Sequence, residues 1–284
     1  MLPLRRTLPA VSTALRSAAA GRRTVARSTT ASGSLVYESR RAVDEYLQFH
    51  YAPKEEVLPY AFGPAEALDF PARVAALAAA HARPDRRALA YDVGCAVGRS
   101  TFELTHSFER VVGVDFSHAF IAAARALKDR GELEYEATEQ AALRSQRLAR
   151  VPRGAARERA EFRQGDACNL GDIGEVDCVF AANLLCRLPE PLAFLETAIA
   201  AIRPGGLLVL ASPFSWLEEY TPPEKWLGGR RGADGEPEDS HAALAAALQP
   251  AFALLARSDE AFLLREHARK FQWGVSDCTV WLRQ

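Results

Sequence analysis

Two glycines, Gly94 and Gly98, stand in YDVGCAVGRS, residues 91 to 100, after an apolar run and before a helical pattern. A strand that runs into glycine-rich backbone and then a helix start presents unpaired N–H groups and the positive helix end to a ligand. A side chain at either glycine would block that ligand or force an unfavourable φ. Taken alone, the turn is compatible with a dinucleotide, with another nucleotide, or with a plain βα connection. Acids further along narrow the choice. Asp115 ends the next strand-like run, 21 residues after Gly94, where a carboxylate accepts both hydroxyls of a ribose. Asp166, in RQGDACNL, follows the third run and suits an adenine amino group.

A dinucleotide site requires G-x-G-x-x-G, whereas Gly94, Cys95, Ala96, Val97 and Gly98 lack the middle glycine that lets a pyrophosphate approach. Asp115 by itself would suit a nicotinamide enzyme equally well. An adenosine held at ribose and base, with no pyrophosphate, describes S-adenosylmethionine.

The elements that position these residues follow from periodicity. Strand-like runs occur at 88 to 93, 110 to 115, 161 to 164, 177 to 182, 207 to 212, 261 to 266 and 275 to 282. The helical patterns RSTFELTHSF, HAFIAAARALKDR, PLAFLETAIAAI and SHAALAAALQ separate most of them. The alternation predicts an α/β, doubly wound, mostly parallel seven-stranded sheet. Only REHARKFQWG separates the last two runs, too short for a crossover helix, so the final strand is antiparallel. Residues 35 to 87 read as an N-terminal helical cap or lid, and residues 131 to 160, rich in Ala, Arg and Glu, as an insertion containing a solvated helix.

Composition excludes several classes. The first 34 residues hold six arginines and no Asp or Glu among many Ser, Thr and Ala, the make-up of a transit peptide, mitochondrial before plastid, or of a disordered basic tail. Without such a signal the chain would be cytoplasmic. Removing that segment takes the formal net charge from -1 to about -7, a poor match for nucleic acid. No window reaches the ~18 apolar residues of a membrane span. The five cysteines, Cys95, Cys168, Cys178, Cys186 and Cys278, form no CxxC pair, so no metal site is expected.

Ligands of open α/β sheets bind outside the carboxyl ends of the strands, which directs attention to NLLCRLPEP, SPFSWLEEYTPPEKWLGG and REHARKFQWGV. Trp216, Tyr220, Trp226 and Trp273 offer aromatic walls. Glu218, Glu219, Lys225, His267 and Lys270 offer charges for a zwitterion, with Glu218, Glu219 or His267 as candidate base. Tyr37, Tyr46 and His50 in the leading segment are placed to close over the acceptor.

Through YDVGCAVGRS, VVGVDFS, RQGDACNL and the IRPGG turn at 202 to 206, the sequence resembles the class I S-adenosylmethionine-dependent methyltransferases over residues 88 to about 283. The resemblance implies a Rossmann-like fold. It also implies that Asp92, Gly94, Cys95 and Gly98 line the methionine and ribose portion, Asp115 the ribose diol with Phe116 beside the base, and Asp166 with Ala167 the adenine. Asn183 would face the amino-acid end or the acceptor. A narrower likeness spans residues 37 to 283. YESRRAVDEYLQFHY, DVGCAVGRSTFEL, QGDACNL, AANLLCRL, SWLEEYTPPEKWLGG and HARKFQWGV resemble the 4-mercaptohistidine N-methyltransferase family of ovothiol biosynthesis. That likeness implies methylation of an imidazole nitrogen of a histidine-derived thiol, supplied by a separate thiohistidine-producing enzyme, or of a related acceptor. A methyltransferase for another small molecule, a non-catalytic adenosylmethionine-binding module and a nicotinamide oxidoreductase remain the alternatives.

Overall fold

A computed structural model describes residues 35–249 and 251–284. The basic segment 1 to 34, and with it the targeting signal, lies outside the described residues. From there, α1 (Arg40–Tyr51) and the single turn α2 (Lys54–Val57) precede α3 (Phe70–His81). Next come β1 (Leu89–Val93), α4 (Arg99–Leu104), β2 (Arg110–Asp115) and α5 (His118–Arg130). A hairpin of β3 (Glu132–Gln140) and β4 (Leu143–Arg150) leads to β5 (Ala160–Gln164), β6 (Val176–Ala182), α6 (Pro191–Ala201) and β7 (Ile202–Ser212). A two-residue ribbon, β8 (Arg230–Arg231) with β9 (Pro237–Glu238), precedes α7 (Ser240–Leu248) and the terminal hairpin of β10 (Phe252–His267) and β11 (Lys270–Arg283).

Seven strands form one sheet in the order β10-β11-β7-β6-β1-β2-β5. Strands β5, β2, β1, β6 and β7 are mutually parallel, and β11 runs antiparallel to both β7 and β10. This is the expected doubly wound sheet with an antiparallel last strand. The central strands read as unbroken apolar runs because helices cover both faces. In β6 the first six residues are buried, with Phe180 fully so. Asp177 interrupts that run to fasten β1: its Oδ2 accepts the backbone N–H groups of Ala88 and Leu89 at 2.8 and 3.0 Å.

Helix α1 is amphipathic and begins on a capping serine, Ser39, which accepts from the Ala42 N–H at 3.1 Å. It buries Val43, Leu47 and Tyr51, each contributing about 1.5–3 kcal/mol of transfer free energy. Two bonds pin its last turn to the loop after β1. The Tyr51 hydroxyl donates to Val97 O at 2.8 Å, and Arg99 Nη1 donates to His50 O at 2.7 Å.

Two expectations change. Residues 131 to 160 hold no α-helix; they fold mainly as the β3–β4 hairpin, followed by a single 3-10 turn at Arg157–Arg159. Gly131, at φ 82°, ends α5. Beyond it Leu133, Tyr135 and Ala137 alternate inward while Glu132, Glu134 and Glu136 face solvent, a period of two that outweighs helix-favouring composition. The terminal hairpin is also longer than its apolar runs. Pairing extends from Phe252↔Arg283 to His267↔Lys270, so REHARKFQWG is strand, tight turn and strand rather than a loop.

Candidate functional site

Strands β1, β2 and β6 end on one edge of the sheet, where the chain order changes direction, and a cavity of about 600 Å³ opens there. Residues 94 to 96 form part of its floor. Gly94 sits at φ 77°, and its N–H and that of Cys95 both donate to Val114 O, at 2.8 and 3.1 Å. Gly98 has a different task. It does not line the cavity; it stands at φ 90°, and an added Cβ would lie 2.7 Å from the Phe162 ring, so its smallness lets α4 pack on the sheet.

Asp115 leaves β2 at the cavity wall. Its Oδ2 accepts the Ala96 N–H at 2.8 Å and its Oδ1 the Ser117 N–H at 2.9 Å. Each oxygen keeps a further lone pair for a ligand hydroxyl. Phe116, Gly165 and Ala167 line the cavity beside it and form a flat, mostly apolar slot. Burial pushes the Asp115 carboxyl up to about 6. Asp92, also buried, is pushed up to about 7 by burial, despite the hydroxyl of Thr101 that donates to it at 2.6 Å.

These raised values carry a sign. Ligand hydroxyls favour the carboxylate form of Asp115, so protonation competes with binding. Nucleoside affinity is therefore full above the raised value and is lost as pH falls through about 6, approaching 10-fold per unit below it. Calorimetric titrations between pH 8 and 5 check this, and a flat profile would contradict it.

Asn183, at φ 55°, lines the cavity just past β6. Its N–H donates to Ala211 O at 2.8 Å, and its Oδ1 accepts the Ser276 hydroxyl at 2.6 Å, which leaves the side-chain amide donors for the cavity. On the far side the cap contributes Tyr37, Tyr46 and His50. Tyr37 packs edge-on against Tyr46, with ring centroids 6.0 Å apart, and Tyr220 lines the cavity with them. Burial holds all three phenols protonated, with Tyr46 pushed up to about 12. Leu217 and Trp273, both largely exposed, form part of the rim.

Arg187 lines the same cavity and was not singled out from the sequence, although it sits within NLLCRLPEP. Its guanidinium lies 4.9 Å from the Tyr220 ring centroid and donates to Ser215 O and Oγ at 2.8 and 3.1 Å. Among the described residues it has no carboxylate partner.

Several sequence candidates fall elsewhere. Trp216 is buried with its Nε1 donating to Ser240 Oγ at 3.1 Å, and Trp226 donates to Thr221 O at 2.9 Å; both pack on the core rather than on the cavity. Glu218 and Glu219 are exposed and do not line the cavity. Lys225 pairs with Glu190. His267 and Lys270 stand at the tip of the β10–β11 hairpin, where His267 Nδ1 accepts from the Arg269 N–H at 3.2 Å and Lys270 pairs with Glu266 at 2.7 Å. Asp166 is not among the lining residues, and its Oδ1 accepts the Cys168 N–H at 2.8 Å, while its neighbours Gly165 and Ala167 line the cavity.

Residues 91–210 match a family model described as a methyltransferase domain. No curated protein matches the chain. Among solved structures, magnesium protoporphyrin IX methyltransferase from Synechocystis PCC 6803, with bound SAH, is similar over 87% of this chain and 96% of its own at 16% identity, with a TM-score of 0.53. N-methyltransferase NodS from Bradyrhizobium japonicum WM9, in complex with S-adenosyl-L-homocysteine, matches over 85% of this chain and 98% of its own at 13% identity, with a TM-score of 0.47. The fold is Rossmann-like, and S-adenosylmethionine is the cofactor expected from the sequence. The cavity fits that molecule: the spare lone pairs of Asp115 would take the ribose diol, the slot at Phe116, Gly165 and Ala167 the adenine, and Asp92, Gly94 and Asn183 surround the space left for the amino-acid end.

Proposed function

We propose that the methyltransferase transfers the methyl group of S-adenosylmethionine to an imidazole nitrogen of a histidine-derived thiol. The observation that carries the acceptor class is Arg187, a guanidinium without an ion-pair partner among the described residues, in a cavity whose walls include Tyr37, Tyr46, Tyr220 and Trp273. An aromatic enclosure with one cation suits a small aromatic carboxylate. The sequence likeness over residues 37 to 283 supplies the identity of the ring.

The bound cofactor supplies a methyl carbon already activated by its sulfonium. The remaining task of the protein is to hold a ring nitrogen in line with it, and positioning of this kind carries most of the acceleration. Arg187 would fix the acceptor carboxylate while Tyr37, Tyr46 and Tyr220 confine the ring. The tyrosines are poor proton acceptors, since burial keeps them as hydroxyls. Neither Glu218, Glu219 nor His267 lines the cavity. Glu45 does line it but is paired with Arg41 at 2.7 Å, so the nitrogen that attacks is the one with a free lone pair in the neutral ring, selected by tautomer rather than by a base. As the N–C bond forms and the C–S bond breaks, the ring gains a positive charge, which its other N–H later releases to water.

The test is direct. The full chain is incubated with S-adenosylmethionine and 5-thiohistidine and the products are read by mass spectrometry. The proposal requires a thiohistidine one methyl heavier and an equal amount of S-adenosylhomocysteine. Bound cofactor with no methylated thiohistidine would transfer the activity to a different small acceptor. Arg187→Gln should raise the KM for thiohistidine by about 10- to 100-fold, the value of one lost charge-assisted bond, and leave the cofactor Kd unchanged.

A further inference from the structure

His50 is a buried polar side chain in this cavity that none of the foregoing uses. It lies in the last turn of α1, is 8% exposed, and lines the cavity. Its ring packs against Tyr46, Phe49 and Tyr51, yet among the described residues neither ring nitrogen has a hydrogen-bond partner. Nδ1 is sealed from solvent, so Nε2 is the nitrogen a ligand reaches. An orphaned buried N–H is rarer than an under-satisfied acceptor, which places the lone pair on Nδ1 and the proton on Nε2. Burial and the nearby Arg99 keep the ring neutral. His50 therefore aims a single N–H donor into the cavity and needs an acceptor to receive it.

Sheet topology says which part of the cofactor arrives there. Strands β5, β2, β1 and β6 lie side by side in that order. The ribose site, Asp115, ends β2, and the slot at Gly165 and Ala167 lies toward β5. A nucleoside held in this way sends its 5′ substituent in the other direction, over β1 and the 94 to 98 turn. His50 stands on that turn: its carbonyl accepts from Arg99, and Tyr51 beside it donates to Val97 O. Among the described residues no lysine lines the cavity, and its arginine, Arg187, is held toward Ser215 on the loop beyond β7 and is assigned above to the acceptor carboxylate.

We propose that His50 reads the amino-acid end of the cofactor, its Nε2–H donating to the methionine carboxylate. The inference rests on S-adenosylmethionine being the cofactor. It makes α1 the part of the cap that distinguishes the complete cofactor from a bare thionucleoside.

The experiment compares S-adenosylhomocysteine with 5′-methylthioadenosine, which has the same nucleoside and no amino-acid end. Both are titrated calorimetrically into the full-length wild type, His50→Phe and His50→Gln. His50→Phe should weaken S-adenosylhomocysteine by about 10-fold and methylthioadenosine by less than about 2-fold, while His50→Gln, which keeps an N–H at that reach, recovers most of the loss. Equal weakening of both nucleosides would assign His50 a packing role and overturn the proposal, as would unchanged binding of S-adenosylhomocysteine. Should His50→Phe lose its cooperative melt, His50→Leu against His50→Gln gives the same contrast. Wild type that binds neither nucleoside would remove the cofactor assignment and this inference with it, an outcome distinct from a failure at His50 alone.

Discussion

Asp115→Asn should weaken S-adenosylhomocysteine by about 100-fold or more, since hydrogen bonds to a charged group are each worth about 1.5–3 kcal/mol and two ribose hydroxyls lose their carboxylate. The geometry makes the amide a poor substitute. Both carboxylate oxygens already accept backbone N–H groups, from Ala96 and Ser117. An asparagine turns its own NH₂ toward one of them, so the change also loosens the turn that shapes the floor. Stability should move much less. The native carboxylate is buried and raised to about 6, so it opposes folding at neutral pH, and removing it offsets the lost backbone bond. Calorimetry and a thermal melt together check the pair of outcomes. Binding reduced only a few-fold would show that the ribose is held elsewhere.

The second large effect is at the glycine turn. Gly94→Val should abolish cofactor binding and leave the sheet folded. At φ 77° a β-branched residue is strained, and its Cβ would lie 2.9 Å from Leu184 Cδ1. The strain costs about 1–3 kcal/mol, which lowers the melting temperature by several degrees for a chain of this size. Leu184 is a flexible neighbour and can yield, but the methyl groups of the valine would remain in the space the cofactor crosses. Far-UV circular dichroism should stay close to wild type while the calorimetric signal disappears. A variant that still binds with near-normal affinity would show that the backbone at Gly94 does not approach the ligand.

The part of this site that was legible in the sequence is the part set by local rules. A buried parallel strand, a glycine requiring positive φ and an acid at the end of the next strand have fixed spacings, so β1, Gly94 and Asp115 can be located by counting. Asp166 shows the limit of counting: it follows β5 as expected, but its neighbours Gly165 and Ala167 are the residues that line the cavity, and its Oδ1 accepts the Cys168 N–H of its own turn. The acceptor end depends on tertiary placement. Trp216 and Trp226 stand on the connection leaving β7, yet one is fixed to Ser240 of α7 and the other to Thr221, and both cover the core. The β3–β4 hairpin was hidden because Glu, Ala and Arg favour helices while its inward residues alternate with a period of two. Arg187 and His50 lie 137 positions apart in the chain and meet only through the cavity. Nothing at either position alone distinguishes a polar group that faces the cavity from an ordinary surface one.

Calorimetric titration of the full chain with S-adenosylhomocysteine and, separately, with NAD tests the cofactor assignment on which the rest depends. The site described here requires one S-adenosylhomocysteine per chain, with binding lost in Asp115→Asn and Gly94→Val, and no saturable binding of NAD, whose pyrophosphate the turn has no middle glycine to admit. Saturable binding of NAD with no heat from S-adenosylhomocysteine would contradict it.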